Sequence, residues 1–514
     1  MTACVIGIDI GTMGTKAGVY DAKGVLKGEA FEESVLRYPK PGWVEQSPED
    51  IYGSAVRTIR SALEQSRIAP GDVAAIALTG QMAGVSTVDS DWNAPTHYDS
   101  WLDNRCAPYV AQLKVCEDEI FAKSGCAPSY NHGPKMLYWK NEHPEVWGRI
   151  AKFVQPSGYV AGRLAGLRGE EAFLDRTFLN FTTFADTANT RWDSDLLARF
   201  DLDTTKLPRI VEPCDIIGHV TAEAASATGL RPGTPIAAGC GDQAANVLGA
   251  GIVEPGVVFD TAGTASVFST VIDRFAVDTT YKALMTCPHV VSGLYYPMAY
   301  VAGGGLNLRW FRDEICAPEK GEWHGAGLNA YDELCRRASE TPPGADNLVF
   351  VPHLGGRNTP NNTNMRGLFI GLTWKHGKAH MFRAIMESIG YEYALYLRSV
   401  QDVAPEVRPT RALSIGGGAR SQVFRQIKAD ILGISYQGLD RAECGTLGAA
   451  IVAGKAAGMF DHIAATARSL SQPAGEPILP RPEYRSRYDA LAGFYADLVD
   501  DKSGLFTRLA AVGA

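Results

Sequence analysis

The chain contains one short pattern twice, at positions about half its length apart. In each copy an apolar run ends in an aspartate, a Gly-Thr turn follows, and a second apolar run returns, at residues 4–21 and at residues 257–269. This pattern predicts a β-hairpin with a polar tip. A repeat at this spacing indicates two similar halves that each offer one hairpin to the same ligand, although so short a repeat can also arise by chance. Since 514 residues are too many for one hydrophobic core, we expect two domains, residues 1–253 and 254–514.

The hairpin tips carry the groups that bind polyphosphates. In the first tip, DIGTMGTK at residues 9–16, turn amides, hydroxyls and a lysine can contact phosphate. Asp9, at the start of this tip, is suited to hold a magnesium ion (Mg²⁺) through water. We expect phosphate contacts from both tips, at Thr12, Thr15, Lys16, Gly263 and Thr264. Gly/Thr tips also occur in purely structural hairpins, and that alternative stays open.

The segment AAGCGDQAANVLGAG, residues 237–251, places a single acid between glycines and a helix-forming run. The glycines allow the backbone to approach a ligand closely, while Asp242 projects from the start of the helix. This arrangement predicts that Asp242 acts on the ligand. Because aspartate is also a preferred helix N-cap, a purely structural cap is the alternative.

A buried strand predicted at residues 73–82 ends in polar residues, and ligands of α/β proteins bind at such strand ends. Gln81 lies at this end, and Trp101, Asp103 and Arg105 follow a loop later. An amide, an aromatic ring, a carboxylate and a guanidinium group suit a small polyol. The alternative is an internal Asp103–Arg105 ion pair beside a packed tryptophan.

The second half contains a strand, a run of glycines and a helix in that order, at residues 412–430. Such a unit brings bare backbone and a helix N-terminus to a base or a phosphate. Because it lacks the GxGxxG spacing and the ribose-binding acid of a dinucleotide site, we expect adenosine here, at Gly417, Gly418 and Ser421. A second glycine run adds Gly305. The alternative is that these glycines only allow close packing of helix on sheet. The small-residue helix predicted at 444–454 is expected to lie against the helix that follows Asp242.

Composition excludes several classes of protein. Hydrophobic residues make up 46% and charged residues 21% of the chain, so a disordered or fibrous protein is excluded. A net charge of −8 without any run of five Lys or Arg argues against nucleic acid as a partner. The ten cysteines form no CxxC pair and no cluster with histidine, which is typical of the reducing cytoplasm. No run of 18 apolar residues exists, so we expect no membrane span.

These motifs together resemble the FGGY family of carbohydrate kinases, within the actin-like ATPases, over nearly the whole chain. The most specific match is the C-terminal signature, GLFIGL at 367–372 followed after seven residues by HMFRAIME at 380–387. The resemblance implies an α/β fold of two actin-like (ribonuclease H-like) ATPase domains with a cleft between them. It also implies ATP and Mg²⁺ as cosubstrate and cofactor, with Asp242 as catalytic base and Asp9 as the metal-associated acid. We assign the sugar side to Gln81, Met82, Trp101, Asp103, Tyr130 and Gln243.

The identity of the sugar is less well defined. GQM at residues 80–82 resembles the corresponding segment of xylulokinases, although Ala83 replaces their histidine, and the Arg-Glu pair of glycerol kinases is missing. We therefore expect transfer of a phosphoryl group from ATP to a ketopentose such as D-xylulose, by a monomer or a homodimer. The alternatives are another sugar or polyol (ribulose, gluconate, erythritol or glycerol) and a non-catalytic actin-like ATP-binding regulatory protein.

Overall fold

The computed structural model describes residues 3–441 and 443–512, and it contains two large β-sheets. The strands up to residue 241 are β1 (Cys4–Ile10), β2 (Gly14–Asp21), β3 (Leu26–Glu33), β4 (Glu45–Gln46), β5 (Val73–Gly80), β6 (Ser86–Val88), β7 (Tyr98–Asp99), β8 (Lys152–Val154), β9 (Phe173–Asp175), β10 (Ala185–Asp186), β11 (Arg191–Trp192), β12 (Arg209–Val211), β13 (Ile216–His219) and β14 (Pro235–Gly241). The α-helices up to residue 249 are α1 (Pro48–Ser66), α2 (Ala107–Leu113), α3 (Glu117–Ser124), α4 (His132–Glu142), α5 (Pro144–Arg149), α6 (Pro156–Ala165), α7 (Ser194–Arg199), α8 (Ala222–Thr228) and α9 (Asp242–Gly249).

The remaining elements form the second half of the chain. Its strands are β15 (Val257–Ala262), β16 (Ser266–Thr270), β17 (Met285–Pro288), β18 (Tyr295–Val301), β19 (Val349–Val351), β20 (Leu368–Ile370), β21 (Arg411–Ile415), β22 (Ser435–Leu439) and β23 (Pro473–Ile478). Its α-helices are α10 (Gly304–Trp310), α11 (Ala317–Gly325), α12 (Ala330–Glu340), α13 (Lys378–Val403), α14 (Gln422–Leu432), α15 (Gly445–Ala456), α16 (Ile463–Leu470), α17 (Arg485–Val499) and α18 (Leu505–Ala511).

The two large sheets repeat one topology. The first has the order β13-β14-β5-β1-β2-β3, and the second has the order β17-β18-β16-β15-β21-β22-β23. In each, an antiparallel hairpin (β1–β2 or β15–β16) continues into a third antiparallel strand on one side. On the other side, two strands run parallel to the first hairpin strand, and an antiparallel strand follows them. The prediction of an α/β protein with two similar halves is therefore confirmed, while the division after residue 253 stays a prediction.

Helices α9 and α15 lie between the two sheets. The first sheet is covered on its other face by α1, α6 and α8, and the second sheet is covered on its other face by α13 and α14. The core around α9 and α15 contains buried side chains of both sheets, including Val5 and Phe259. This order of layers gives the two halves one shared apolar core.

Glycines allow these central layers to approach closely. A Cβ atom on Gly7 of β1 would lie 1.9 Å from the Thr446 carbonyl oxygen of α15, and one on Gly448 of α15 would lie 2.0 Å from the Ala245 carbonyl oxygen of α9. The prediction that the small-residue helix lies against the helix after Asp242 is therefore confirmed. Within the described ranges, no helix is long and apolar enough to cross a membrane.

Candidate active site

Three neighbouring parallel strands of the first sheet end at the same edge. Gly241 of β14 pairs with Gly80 of β5, and Thr79 of β5 pairs with Asp9 of β1. Because these strands run in one direction, the residues at their carboxyl ends meet at this edge, as ligand-binding residues of α/β sheets do. The edge brings together Asp9, Gln81 and Asp242.

Asp242 is the first residue of α9, and its side chain is half-buried. One carboxylate oxygen accepts the backbone N–H of Gln243 at 2.6 Å. Burial raises the pKa of Asp242 to about 7, although the hydrogen bonds from Gln243 act against this increase. A carboxyl group with a pKa near neutrality is suited to accept a proton during catalysis. The N-cap of α9 is Gly241, and no side chain donates or accepts a cap hydrogen bond there, which argues against a role of Asp242 as the helix cap alone.

The carboxylate of Asp9 is only partly stabilised by its neighbours. Its Oδ1 atom is buried and has no hydrogen-bond partner. Burial and the negative charges of Asp242 and Glu443 raise the pKa of Asp9 well above its ordinary value, while the charge of Lys16 opposes the increase. Among the described residues, no group of three or more His, Cys, Asp or Glu side chains is arranged to hold a metal ion. Asp9 therefore lies near two other acids, Asp242 and Glu443, that do not form a group of metal ligands with it.

The second half of the chain reaches this edge through α15. Lys16 of β2 forms an ion pair with Glu443, which lies two residues before the start of that helix. Glu443 also accepts the backbone N–H of Gly445 at 3.2 Å, and a Cβ atom on Gly445 would lie 3.0 Å from the Oδ2 atom of Asp9. The first turn of α15 thus lies beside Asp9.

A hydrogen-bonded chain links the first hairpin tip to the sugar-side residues. The Thr12 hydroxyl donates to Gln81 Oε1 at 3.2 Å and accepts the indole N–H of Trp101 at 2.9 Å. The amide of Gln81 donates to Gln46 Oε1 at 2.6 Å. Trp101 is 36% exposed. Thr12, predicted as a phosphate contact, therefore holds two predicted sugar-side residues.

Met82 lies directly beside the backbone that carries Asp242. Its side chain is buried, and a Cβ atom on Gly241 would lie 2.5 Å from its Cε atom. Met82 therefore packs against the peptide before Asp242, and Gln243 follows Asp242 in the same helix turn. The structure brings Gln81, Met82, Trp101 and Gln243 to one edge, and their contact with a sugar stays a prediction.

The structure places Asp103 in an internal ion pair, away from the predicted contact with a sugar. Its carboxylate is fully buried and accepts the Val44 N–H at 2.6 Å and the Arg105 guanidinium at 2.7 and 2.9 Å. Arg105 also donates to Glu45 and packs over the ring of Trp43, with 3.8 Å to the ring centroid. The alternative of an internal ion pair beside a packed tryptophan is therefore right, except that the tryptophan is Trp43.

Two further predicted residues lie apart from this group. The side chain of Thr15 is buried and shares a hydrogen bond of 2.9 Å with Ser54 of α1. Side chains alternate along a strand, so Lys16 faces Asp9 while Thr15 faces α1, and the prediction of a Thr15 side-chain contact to phosphate is corrected. Tyr130 is half-buried in the loop before α4, and its place on the sugar side stays a prediction.

The glycine-rich segments of the second half meet at the tip of its hairpin. Gly305 donates its N–H to the Gly263 carbonyl at 3.1 Å, and a Cβ atom on Gly305 would lie 2.3 Å from that oxygen. Gly418 packs on Ala262, where a Cβ atom would lie 2.9 Å from the alanine Cβ. Three predicted nucleotide residues, Gly263, Gly305 and Gly418, are therefore brought together by backbone packing.

The other three predicted residues of the second half differ in their surroundings. Gly417 and Thr264 are exposed, and nothing lies within 4 Å of the Cβ position of Gly417. The hydroxyl of Ser421 accepts the Phe424 N–H at 3.2 Å and is the N-cap of α14. The Ser421 side chain therefore caps α14, and its contact with a nucleotide stays a prediction.

Sequence patterns did not single out two residues that the fold places at this site. Glu443 belongs to the second half and pairs with Lys16 of the first, which only the packing of α15 on β1 determines. The hydroxyl of Thr177 accepts the N–H of Gly241 at 2.9 Å. The only signal near Thr177 is an irregular segment rich in Thr and Phe, which carries no spacing that points to Gly241.

Comparison with known proteins agrees with this geometry. The N-terminal domain model of the FGGY family of carbohydrate kinases matches residues 4–249, and its C-terminal domain model matches residues 261–457. The chain belongs to the FGGY family of carbohydrate kinases. It is therefore an enzyme, a phosphotransferase, and the alternative of a non-catalytic regulatory protein has no support.

Relatives of this carbohydrate kinase act on different sugars. Xylulose kinase of Escherichia coli is 29% identical over 88% of this chain and 89% of its own length. Gluconokinase of Bacillus subtilis is 28% identical over 99% of this chain and 100% of its own length. The crystal structure of xylulose kinase from Rhodospirillum rubrum superposes with a TM-score of 0.88 at 28% identity, over 98% of this chain and 100% of that one. The similarity confirms the two-domain actin-like fold, and these relatives divide between a ketose and a sugar acid.

Proposed function

We propose that this FGGY kinase transfers the γ-phosphoryl group of ATP to a hydroxyl of a neutral ketopentose such as D-xylulose. The observation that carries the proposal is the Asp242 carboxyl group, placed at the meeting point of three strand ends with its pKa raised by burial to about 7. Phosphoryl transfer needs positioning, charge stabilisation and one group that receives the hydroxyl proton. Asp242 is the residue that we assign to the proton.

The remaining residues take positions around this step. We place the phosphates along the two hairpin tips, with Lys16, Gly263 and Thr264 as contacts, and the adenosine beside Gly417 and Gly418. Closing of the two halves over the ligands would exclude water and limit hydrolysis of ATP.

Asp9 fits the Mg²⁺ ion that kinases need. Its buried Oδ1 atom lacks a partner, and the negative charges of Asp242 and Glu443 make a cation favourable there. Mg²⁺ is usually held by one or two carboxylates together with waters and substrate phosphates, so a single acid is sufficient. When bound, the ion would supply positive charge to the phosphates of ATP.

The charges of the site favour a neutral sugar over a sugar acid such as gluconate. A carboxylate substrate needs an available cation, but Arg105 is paired with Glu45 and Asp103, and Lys16 is assigned to the phosphates of ATP. The acids Asp9 and Asp242 would also repel the carboxylate of a sugar acid. Gln81 and the exposed ring of Trp101 instead offer an amide and an apolar surface, which suit hydroxyl groups and the C–H faces of a sugar.

The test is a substrate panel in an assay that couples ADP release to NADH oxidation. D-xylulose, D-ribulose, D-gluconate, erythritol and glycerol would each be compared by kcat/KM, with Asp242→Asn as the control for ATP turnover without the base. We expect a ketopentose to give the highest value. The highest kcat/KM for gluconate or glycerol would refute the choice of sugar while leaving the kinase assignment intact.

We further propose a cytoplasmic location and the division into domains after residue 253. The ten cysteines of the sequence form no CxxC pair and no cluster with histidine, as is common in proteins of a reducing compartment. The division falls between α9 and β15, where the chain leaves the first sheet for the second.

A further inference from the structure

The peptide before Asp242 is held from several sides. Strand β14 is displaced in its pairing with β5 between Ala237 and Cys240. Gly239 lies within this irregularity with φ of 81°, and a Cβ atom there would lie 1.8 Å from the Leu78 carbonyl oxygen. Only glycine fits this position, so the chain resumes its pairing with β5 just before Asp242. The exact place of Asp242 therefore depends on what holds Gly241.

Thr177 holds Gly241 from outside the sheet. Its Oγ1 atom accepts the N–H of Gly241 at 2.9 Å. The same hydroxyl donates its proton to Asp175 Oδ1, which also accepts the backbone N–H of Thr177 at 3.0 Å. A hydroxyl has one proton to donate, so Asp175 orients the lone pairs of Thr177 toward Gly241. Thr177 and Asp175 are both buried, which keeps water from replacing either contact.

We propose that Thr177 is a positioning residue for phosphoryl transfer, because its hydroxyl fixes the Gly241 peptide and thereby the direction of the Asp242 carboxylate. The inference rests on the proposed role of Asp242 as the base. Met82 packs on the same peptide, so loss of the Thr177 contact would leave Gly241 held by β5 and by an apolar side chain alone.

The test compares variants of Thr177 with a matched variant of Thr182. Thr177→Val keeps the branched shape and removes the hydroxyl. We expect kcat to fall by about 10-fold or more, because small displacements of a catalytic group cost up to about 100-fold. The KM for ATP and the Kd for ADP should change by less than about twofold, since the nucleotide residues are not touched. Thr177→Ser should recover most of the loss.

Thr182 is the control because it is equally buried, lies near the same segment and uses its hydroxyl on the Leu179 carbonyl at 2.7 Å. Thr182→Val should leave kcat within about twofold of the wild type. Should Thr177→Val fail to fold, Thr177→Ala removes the same hydroxyl without placing a methyl group against the Gly241 amide.

A double variant decides whether Thr177 acts through Asp242. In the Asp242→Asn background, Thr177→Val should lower the remaining rate by less than about twofold, because the base is already lost. A wild-type kcat in Thr177→Val, or an equal loss of rate with and without Asp242, would overturn the inference. Near-normal turnover of Asp242→Asn would instead refute the proposed function, so the two failures are distinguishable.

Discussion

Replacing Asp242 by asparagine should abolish most activity while stabilising the protein. Asparagine keeps an oxygen that can accept the Gln243 N–H, now bound at 2.6 Å, so the start of α9 should persist. It cannot take a proton from the sugar hydroxyl. We expect kcat to fall by about 10²- to 10⁴-fold, the range found for loss of a general base. The Kd for ADP should change by less than about twofold.

The gain in stability follows from the pKa of Asp242. Burial raises this pKa from an ordinary value of 3.8 to about 7 in the folded protein. Between these values the folded state keeps a proton that the unfolded state has released, so the free energy of unfolding falls as the pH rises from about 4 to about 7. Each pKa unit is worth about 1.4 kcal/mol, which gives roughly 4 kcal/mol above pH 7. Because Asp242 is only half-buried, solvent reduces this cost, and we expect Asp242→Asn to gain about 1–3 kcal/mol at pH 8.

Urea denaturation followed by tryptophan fluorescence, at pH 8, 6.5 and 5, measures this difference. The advantage of Asp242→Asn should shrink as the pH falls toward 4, where both proteins carry an uncharged side chain. If Asp242 served only as a helix cap, Asp242→Asn would show near-normal turnover and a stability change within a few tenths of a kcal/mol at every pH. Equal stability at pH 8 together with normal activity would refute the assignment of Asp242 as the base.

Three further predictions test other parts of the site. The kcat/KM for the sugar should rise about tenfold per pH unit below pH 7 and level off above it, because a protonated Asp242 cannot accept a proton, and a pH-independent value would contradict this. Thr264→Ala should raise the KM for ATP about 10-fold, since the exposed hydroxyl is free to bind a phosphate, whereas Thr280→Ala, another exposed threonine, should not. Gly448→Ala places a Cβ atom 2.0 Å from the Ala245 carbonyl oxygen and should lower the free energy of unfolding by about 1–3 kcal/mol in urea titrations, whereas Gly321→Ala, with open space around it, should not destabilise.

The positions of strands and their ends could be predicted from the sequence. Apolar runs that end in aspartate or glycine predicted the two hairpins and the strand before Asp242, and the structure contains all of them. Once the strands are parallel neighbours, their carboxyl ends must meet, which brings Asp9, Gln81 and Asp242 together. This part of the site depends on where the strands begin and end, which the periodicity of apolar residues in the sequence predicts directly.

The partners of polar side chains could not be predicted in the same way. The carboxylate of Asp103 is a group that could bind a sugar hydroxyl. Its oxygens are nevertheless occupied by Arg105 and a backbone N–H, because a buried carboxylate must be paired. Thr15 and Lys16 are adjacent in one motif but face opposite sides of β2. Glu443 reaches Lys16 from 427 residues away. Each of these outcomes depends on packing across the molecule.

The motif that identifies the family most specifically lies in the core. Within residues 380–387, Arg383 donates to Glu387 at 2.7 Å, and Glu387 also accepts from Tyr488 at 2.8 Å and from the Gly344 N–H at 2.8 Å. Both charged side chains are buried on α13. Removing either partner would leave a buried charge unpaired, which is strongly destabilising. The network therefore gives Arg383 and Glu387 of the signature a structural role in the core.

The two hairpins share a topology but differ in how their acids are compensated. Asp260 of the second hairpin accepts a hydrogen bond from Tyr393 at 2.7 Å and forms an ion pair with Lys428 of α14, and all of these side chains are buried. Asp9 of the first hairpin keeps one buried oxygen without a partner. A buried carboxylate is costly unless a cation faces it, and the lysine nearest Asp9, Lys16, already forms an ion pair with Glu443, so a cation from outside the chain would stabilise Asp9 more than Asp260. We therefore expect the metal and the transferred phosphoryl group beside the first half and the adenosine beside the second.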